Sequence, residues 1–69
     1  MENKFSVILK DLRTQANLGQ ESLAKALGVS KGIISLRENG LREPNMSSLI
    51  LLAKFFNVSI DYLVGLDAE

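Results

Sequence analysis

Apolar residues recur along the chain with a helical period. Phe5, Ile8, Leu9 and Leu12 fall at i, i+3, i+4 and i+7, one face of an amphipathic helix. Asn3 is placed to cap it, and Asn17-Leu18-Gly19 ends it. A second helix starts near Gln20 and buries Leu23, Ala24 and Leu27 until Gly28 stops it. Ser30 caps a third, which runs to about Asn39, where Asn39-Gly40 turns the chain. After the loop Arg42-Glu43-Pro44, Asn45 caps a fourth helix expected to bury Met46, Leu49, Ile50, Leu52, Ala53 and Phe56. Asn57-Val58 breaks it. Ser59 then caps a short fifth helix carrying Ile60, Leu63 and Val64 and ending at Gly65. The pattern predicts an all-α fold, a compact bundle of five helices in a single domain over residues 1–69, with no internal repeat and no linker.

Composition narrows what such a domain does. With 69 residues it buries only about 60% of its unfolded surface. It has neither His nor Cys, so neither a disulfide nor a zinc site reinforces it. The same absence removes the usual general base, and no base is placed to activate any of its Ser residues. We therefore expect no enzyme and no cofactor. The longest apolar run, Leu49 to Ala53, is too short to span a bilayer, and the start does not lead into a signal-peptide core. A cytoplasmic location is expected. Net charge is zero, but all eight basic residues lie between Lys4 and Lys54 against only Asp11, Glu21, Glu38 and Glu43, a local surplus of +4. That distribution fits either a solvated mixed surface or one basic face.

The second and third predicted helices carry the functional signal. In QESLAKALGVSKGIISLRENG, Ala24 allows close helix approach, Gly28 gives a sharp turn four residues on, and Ile34 packs back between the helices six residues later. With Leu23, Leu27 and Val29 apolar around them, these form the spacing of a helix-turn-helix over about residues 20–39; an ordinary helical hairpin is the simpler alternative.

LRTQANLGQESLAKALGVSKGIIS, then ENGLREPN, then LAKFFNVSIDYLVG resemble the phage repressor and Cro type of helix-turn-helix protein, the xenobiotic-response-element family. The resemblance runs from about Phe5 to Gly65. It implies a lambda-repressor-like fold that places the third helix in the major groove of double-stranded DNA, the docking geometry known for such repressors. By this resemblance Gln20 meets DNA phosphate, Arg13 lies near phosphate held by Glu38, and Asn39 touches phosphate after the recognition helix. Arg42 is a further phosphate candidate. The base-reading positions correspond to Ser30, Lys31, Gly32 and Leu36, and Ser35 lies on the same side of the helix as Lys31 and Gly32. Without the resemblance, Arg13 and Glu38 read as a surface ion pair.

Three positions in the third helix depart from the family. Leu36 stands where a polar or basic residue is common, Arg37 where a large apolar or aromatic one is usual, and Ile33 where Ser, Thr or Ala is frequent. Periodicity alone centres the apolar face near Ile33 with Leu36 inward and the Arg37 stem packed beside it; the resemblance turns Leu36 toward DNA. Leu51 and Phe55 fall outside the main apolar face of the fourth helix. With Tyr62, Val64 and Leu66 they form either a dimer surface or an enlarged core.

The expected function is sequence-specific DNA binding as a transcriptional regulator, a repressor of prokaryotic or phage origin, acting as a homodimer on a palindromic operator, with no membrane or metal partner. Two alternatives stand beside it. One is a protein-interaction module of the same fold; the other is the DNA-binding half of a longer repressor.

Overall fold

The computed structural model describes residues 4–66. Among them the elements are α1 (Phe5–Gln15), α2 (Gln20–Leu27), α3 (Lys31–Glu38), α4 (Met46–Phe56) and α5 (Ile60–Leu63), with no strand. Their boundaries follow local chemistry. Ser30 Oγ, Asn45 Oδ1 and Ser59 Oγ accept hydrogen bonds from the N–H groups of Ile33 (3.2 Å), Ser48 (2.8 Å) and Tyr62 (3.0 Å), so α3, α4 and α5 each begin at a side-chain cap. The predicted cap Asn3 lies outside the described residues; α1 opens after Lys4 with no side-chain cap bond. Asn17 and Asn57 take the left-handed conformation where α1 and α4 give out.

α2 and α3 pack on each other, α3 also packs on α1, and α5 closes against α1 and α4. Phe5, Leu9, Leu23, Ala24, Ile34, Leu52 and Leu63 form the buried core, one or two residues from every helix. Ala24 is the small member. Its side chain lets α3 approach α2 closely enough for Ile34 to be sealed between them.

α4 departs from the expectation. Met46 is 67% exposed and Ile50 42%, while Leu52 is buried and Leu49, Ala53 and Phe56 are partly buried. At about 100° per residue the core-facing arc centres between Leu52 and Leu49. Met46 and Ile50 then fall on one flank, Leu51 and Phe55 on the other, and Ser47 and Lys54 between them face out. A helix apolar on nearly every side gives no amphipathic stripe to read, which is why Met46 and Ile50 looked internal. Leu52→Ala is expected to cost about 2–5 kcal/mol, whereas Met46→Ser stays within about 0.5 kcal/mol, both measured by urea unfolding.

Candidate nucleic-acid interface

The turn between α2 and α3 fixes the geometry. Gly28 sits at φ 73°, ψ 29°, a left-handed conformation that disfavours a side chain even though space around it is open. The Gly28 N–H donates to Lys25 O (3.2 Å) and the Val29 N–H to Ala24 O (3.0 Å), so α2 closes and the chain turns within two residues. Ser30 then starts α3 at once.

On α3, Ile34, Arg37 and Glu38 are buried and Ile33 is partly buried. The inner arc therefore centres on Ile34, not near Ile33 as periodicity suggested, and Leu36 turns outward at 38% exposure. Burial of Glu38 on the far side of Ile34 moves the centre, and hydrophobicity counted residue by residue treats that glutamate as polar. The outward face gathers the predicted Lys31, Gly32, Leu36 and Asn39, all exposed, with Ser35 partly buried beside them. Ser30 is exposed at the head of the helix, its hydroxyl occupied by the cap. Asn39 Nδ2 lies 3.5 Å from Ser35 Oγ, a weak contact that lines the two side chains along one row. Arg42 is exposed in the following loop.

One inner edge of this surface is a polar network centred on Glu38. Arg13 Nε donates to Glu38 Oε2 and Arg13 Nη2 to Glu38 Oε1 (3.0 Å), a bidentate pair. Arg13 Nη1 donates to the Leu18 carbonyl (2.7 Å), and Gln20 Nε2 donates to Glu38 Oε1 (3.1 Å). Arg13 and Glu38 are both about nine-tenths buried. The surface ion pair expected without the resemblance is thus an internal clamp. It joins the end of α1, the α1–α2 loop, the start of α2 and the end of α3. The hydrogen bond to Glu38 holds the Arg13 guanidinium above its ordinary pKa, against the opposing effect of burial. Arg13 has a donor on every nitrogen engaged within the protein, and the Gln20 amide is turned to Glu38.

The start of α2 is open. Gly19 provides no side-chain cap, and the first N–H that bonds back across the cap is that of Leu23, to Gly19 O (3.1 Å). A helix N-terminus of this kind favours an anion, with Glu21 in the first turn working against it.

The Leu18 carbonyl was not foreseen as part of the site, and nothing local marks it.

Of the residues proposed for a dimer surface, Leu51, Phe55, Tyr62 and Leu66 are exposed, and Phe55 stacks edge-on against Phe56 at 4.9 Å. Val64 is partly buried and lines a shallow notch with Phe5, Glu43, Pro44 and Leu49. The exposure of Leu51 and Phe55 speaks against an enlarged core.

Removing one partner of a buried ion pair strands the other. Glu38→Ala is therefore expected to cost about 3–5 kcal/mol of folding stability in urea titration, whereas Lys31→Ala, seven residues earlier and exposed, changes it by less than about 0.5 kcal/mol.

Residues 9–63 match the helix-turn-helix family. The chain is 49% identical over 62 residues to the HTH-type transcriptional activator BcrR of Enterococcus faecalis, covering 90% of this chain and 30% of that protein. It is 38% identical over 65 residues to the cryptic phage CTXphi transcriptional repressor RstR of Vibrio cholerae, covering 94% of this chain and 58% of that one. The chain thus spans between about a third and three fifths of the length of these relatives. A transcriptional regulator from Listeria innocua superposes over the whole chain and 64% of its own, with a TM-score of 0.89 and 30% identity. The Ala24, Gly28 and Ile34 turn, the five-helix order and the match over residues 9–63 agree: the chain belongs to the Cro/C1-type helix-turn-helix family.

Proposed function

We propose that this domain binds double-stranded DNA in a sequence-specific manner as a transcriptional regulator, in the cytoplasm of a prokaryotic cell or of a cell carrying a phage. The observation that carries the reading is the outward row of Lys31, Gly32, Ser35, Leu36 and Asn39 on a helix whose inner edge is locked to α1 and α2 through Glu38. A rigid helix with small and polar residues on its free face fits the major groove, which is about 12 Å wide.

Roles follow from the chemistry. Lys31 donates to guanine O6 and N7; Leu36 contacts a thymine methyl; Ser35 and Asn39 offer hydrogen bonds to a base edge or to a phosphate. The α2 N-terminus and Arg42 bind the backbone. Arg13, engaged on every nitrogen, positions α2 and α3 rather than gripping phosphate itself. Gln20 reaches a phosphate by giving up its bond to Glu38, which keeps both charge-assisted bonds from Arg13.

One recognition helix reads only a few base pairs, too few to select a site in a genome. We infer a homodimer on a palindromic operator, its half-sites about one helical turn apart. Leu51, Phe55, Tyr62 and Leu66 supply the exposed apolar surface for it, on elements after α3, so that the recognition helix stays free. The names of the two relatives above include both an activator and a repressor; for this chain we favour repression, by occupation of the operator.

Counterion release tests the reading. With Lys31 and Arg42 engaged in each subunit, log K for an operator selected from random duplexes should fall with log salt at a slope of roughly −4 for the dimer. A flat response removes DNA binding. On that operator, Lys31→Ala should cost about 1–3 kcal/mol at one base position and relax preference there, whereas Arg42→Ala should weaken all sequences alike.

The dimer is tested separately. Phe55→Glu should lower operator affinity and reduce the dimer fraction in sedimentation while the helical circular dichroism stays intact. Operator binding as tight as wild type by this variant would move the dimer surface elsewhere.

A further inference from the structure

Arg37 is the one buried charge on α3 that the site described above leaves without a role. It is only 6% exposed, and its Nε is fully buried with no hydrogen-bond partner. Among the described residues the one ion pair is Arg13 with Glu38, so no carboxylate among them pairs with Arg37. Glu43, adjacent to Arg42 in the chain, pairs with neither arginine. A buried nitrogen that has given up water without gaining a partner costs stability.

The loop after α3 adds a second cation, Arg42. The Gly40 N–H donates to Arg37 O (3.3 Å) and the Leu41 N–H to Leu36 O (2.9 Å), with Gly40 at φ 73°. The chain therefore turns immediately after α3 into the loop that carries Arg42. Burial first, and the charge of Arg42 second, lower the Arg37 pKa, though an arginine keeps its proton at any physiological pH. Among the described residues neither Arg37 nor Arg42 has an ion-pair partner.

Their position suggests one. At about 100° per residue, Arg37 and Glu38 lie on either side of Ile34 on the buried part of α3. Glu38 faces α1 and α2. Arg37 lies on the other flank, where the charge of Arg42 reaches it. A helix in the major groove has a phosphate wall on each side, and the α2 N-terminus serves only one of them.

We propose that Arg37 and Arg42 together grip a single backbone phosphate of duplex DNA on the flank of α3 away from α2. The proposal rests on the DNA-binding reading and adds a contact to it. In the free protein the two charges repel. A phosphodiester placed between them accepts from both guanidinium groups and removes the imbalance, so part of the stability lost to the buried cation returns as affinity for DNA.

The experiment compares the full chain with Arg37→Met, Arg42→Met and the double variant. Affinity for a short random-sequence duplex is followed by fluorescence anisotropy over a salt series, and thermal unfolding is followed in phosphate-free buffer. Arg37→Met should make the salt slope shallower by about 0.9 per subunit and weaken binding roughly tenfold near 0.1 M salt. The same variant should melt about 5 °C higher, because an apolar side chain of similar length replaces an unpaired cation. In the double variant the combined loss should fall short of the product of the single losses by roughly threefold or more, since both arginines serve one phosphate.

An unchanged slope and affinity for Arg37→Met, with wild type steeply salt-dependent, overturns this proposal and leaves DNA binding intact. A flat salt response by wild type overturns both. Multiplicative losses in the double variant overturn the shared grip. If Arg37→Met does not fold, the Arg37 Nε–H resonance of the wild-type chain decides. It should move on titration with the duplex and stay in place with inorganic phosphate at equal ionic strength. No movement with duplex, or equal movement with inorganic phosphate, overturns the assignment.

Discussion

Glu38 is the carboxylate on which the arrangement of the reading surface depends. Its two oxygens take two bonds from Arg13 and one from Gln20, and Arg13 spends its remaining terminal nitrogen on the Leu18 carbonyl. Three helices and a loop thus meet at one buried anion. Such a pair adds little net stability over an apolar replacement, because desolvation offsets most of the attraction. What it supplies is direction. Apolar contacts between Ala24 and Ile34 fix how close α2 and α3 lie, but a bidentate bond at the end of α3 also fixes how that helix is rotated and where its last turn ends. In a chain without disulfides or metal ligands, rotation has to be set by side chains of this kind.

The two ends of α3 are held differently. Its start is local: Gly28 turns the chain, and Ser30 caps the helix through its own side chain. Its end is tertiary, held by Glu38 on one flank and packed around the Arg37 stem on the other. The first follows from a few neighbouring residues; the second needs partners 25 positions away. A base-reading helix anchored at both ends can present a short row of side chains without much ordering on binding.

The same division explains what was legible in the amino-acid pattern. Ser30, Asn45 and Ser59 were read as caps and are caps, because a cap involves residues only three apart. Gly28 and the Asn39-Gly40 turn were legible for the same reason. The outward turn of Leu36 came from the family resemblance, and periodicity alone pointed the other way. It failed because Glu38 is buried beyond Ile34 while Leu36 is exposed, an exchange that no average hydrophobicity registers. Met46 and Ile50 were misplaced because α4 is apolar on both flanks. The ion pair of Arg13 and Glu38 was named, but its burial was not, since burial depends on how α1 and α3 cross.

The outward face of α3 is chemically sparse, and this shapes how a domain of this kind would select its site. Lys31 is its only cation, Gly32 contributes no side chain, Leu36 offers only apolar contact, and Ser35 and Asn39 are partly occupied with one another. Few of these groups distinguish bases by hydrogen bonding, so direct readout from one helix is limited. Discrimination then has to come from the geometry imposed on the duplex by the backbone contacts and by the spacing of two bound copies. On the proposed reading, contacts at the edges of α3 matter as much to this as those on its face, because a phosphate held on each wall would fix the depth and tilt of the helix in the groove. An unbalanced charge beside the helix, costly in the free chain, is then the kind of feature that a domain with so little base-reading chemistry has reason to keep.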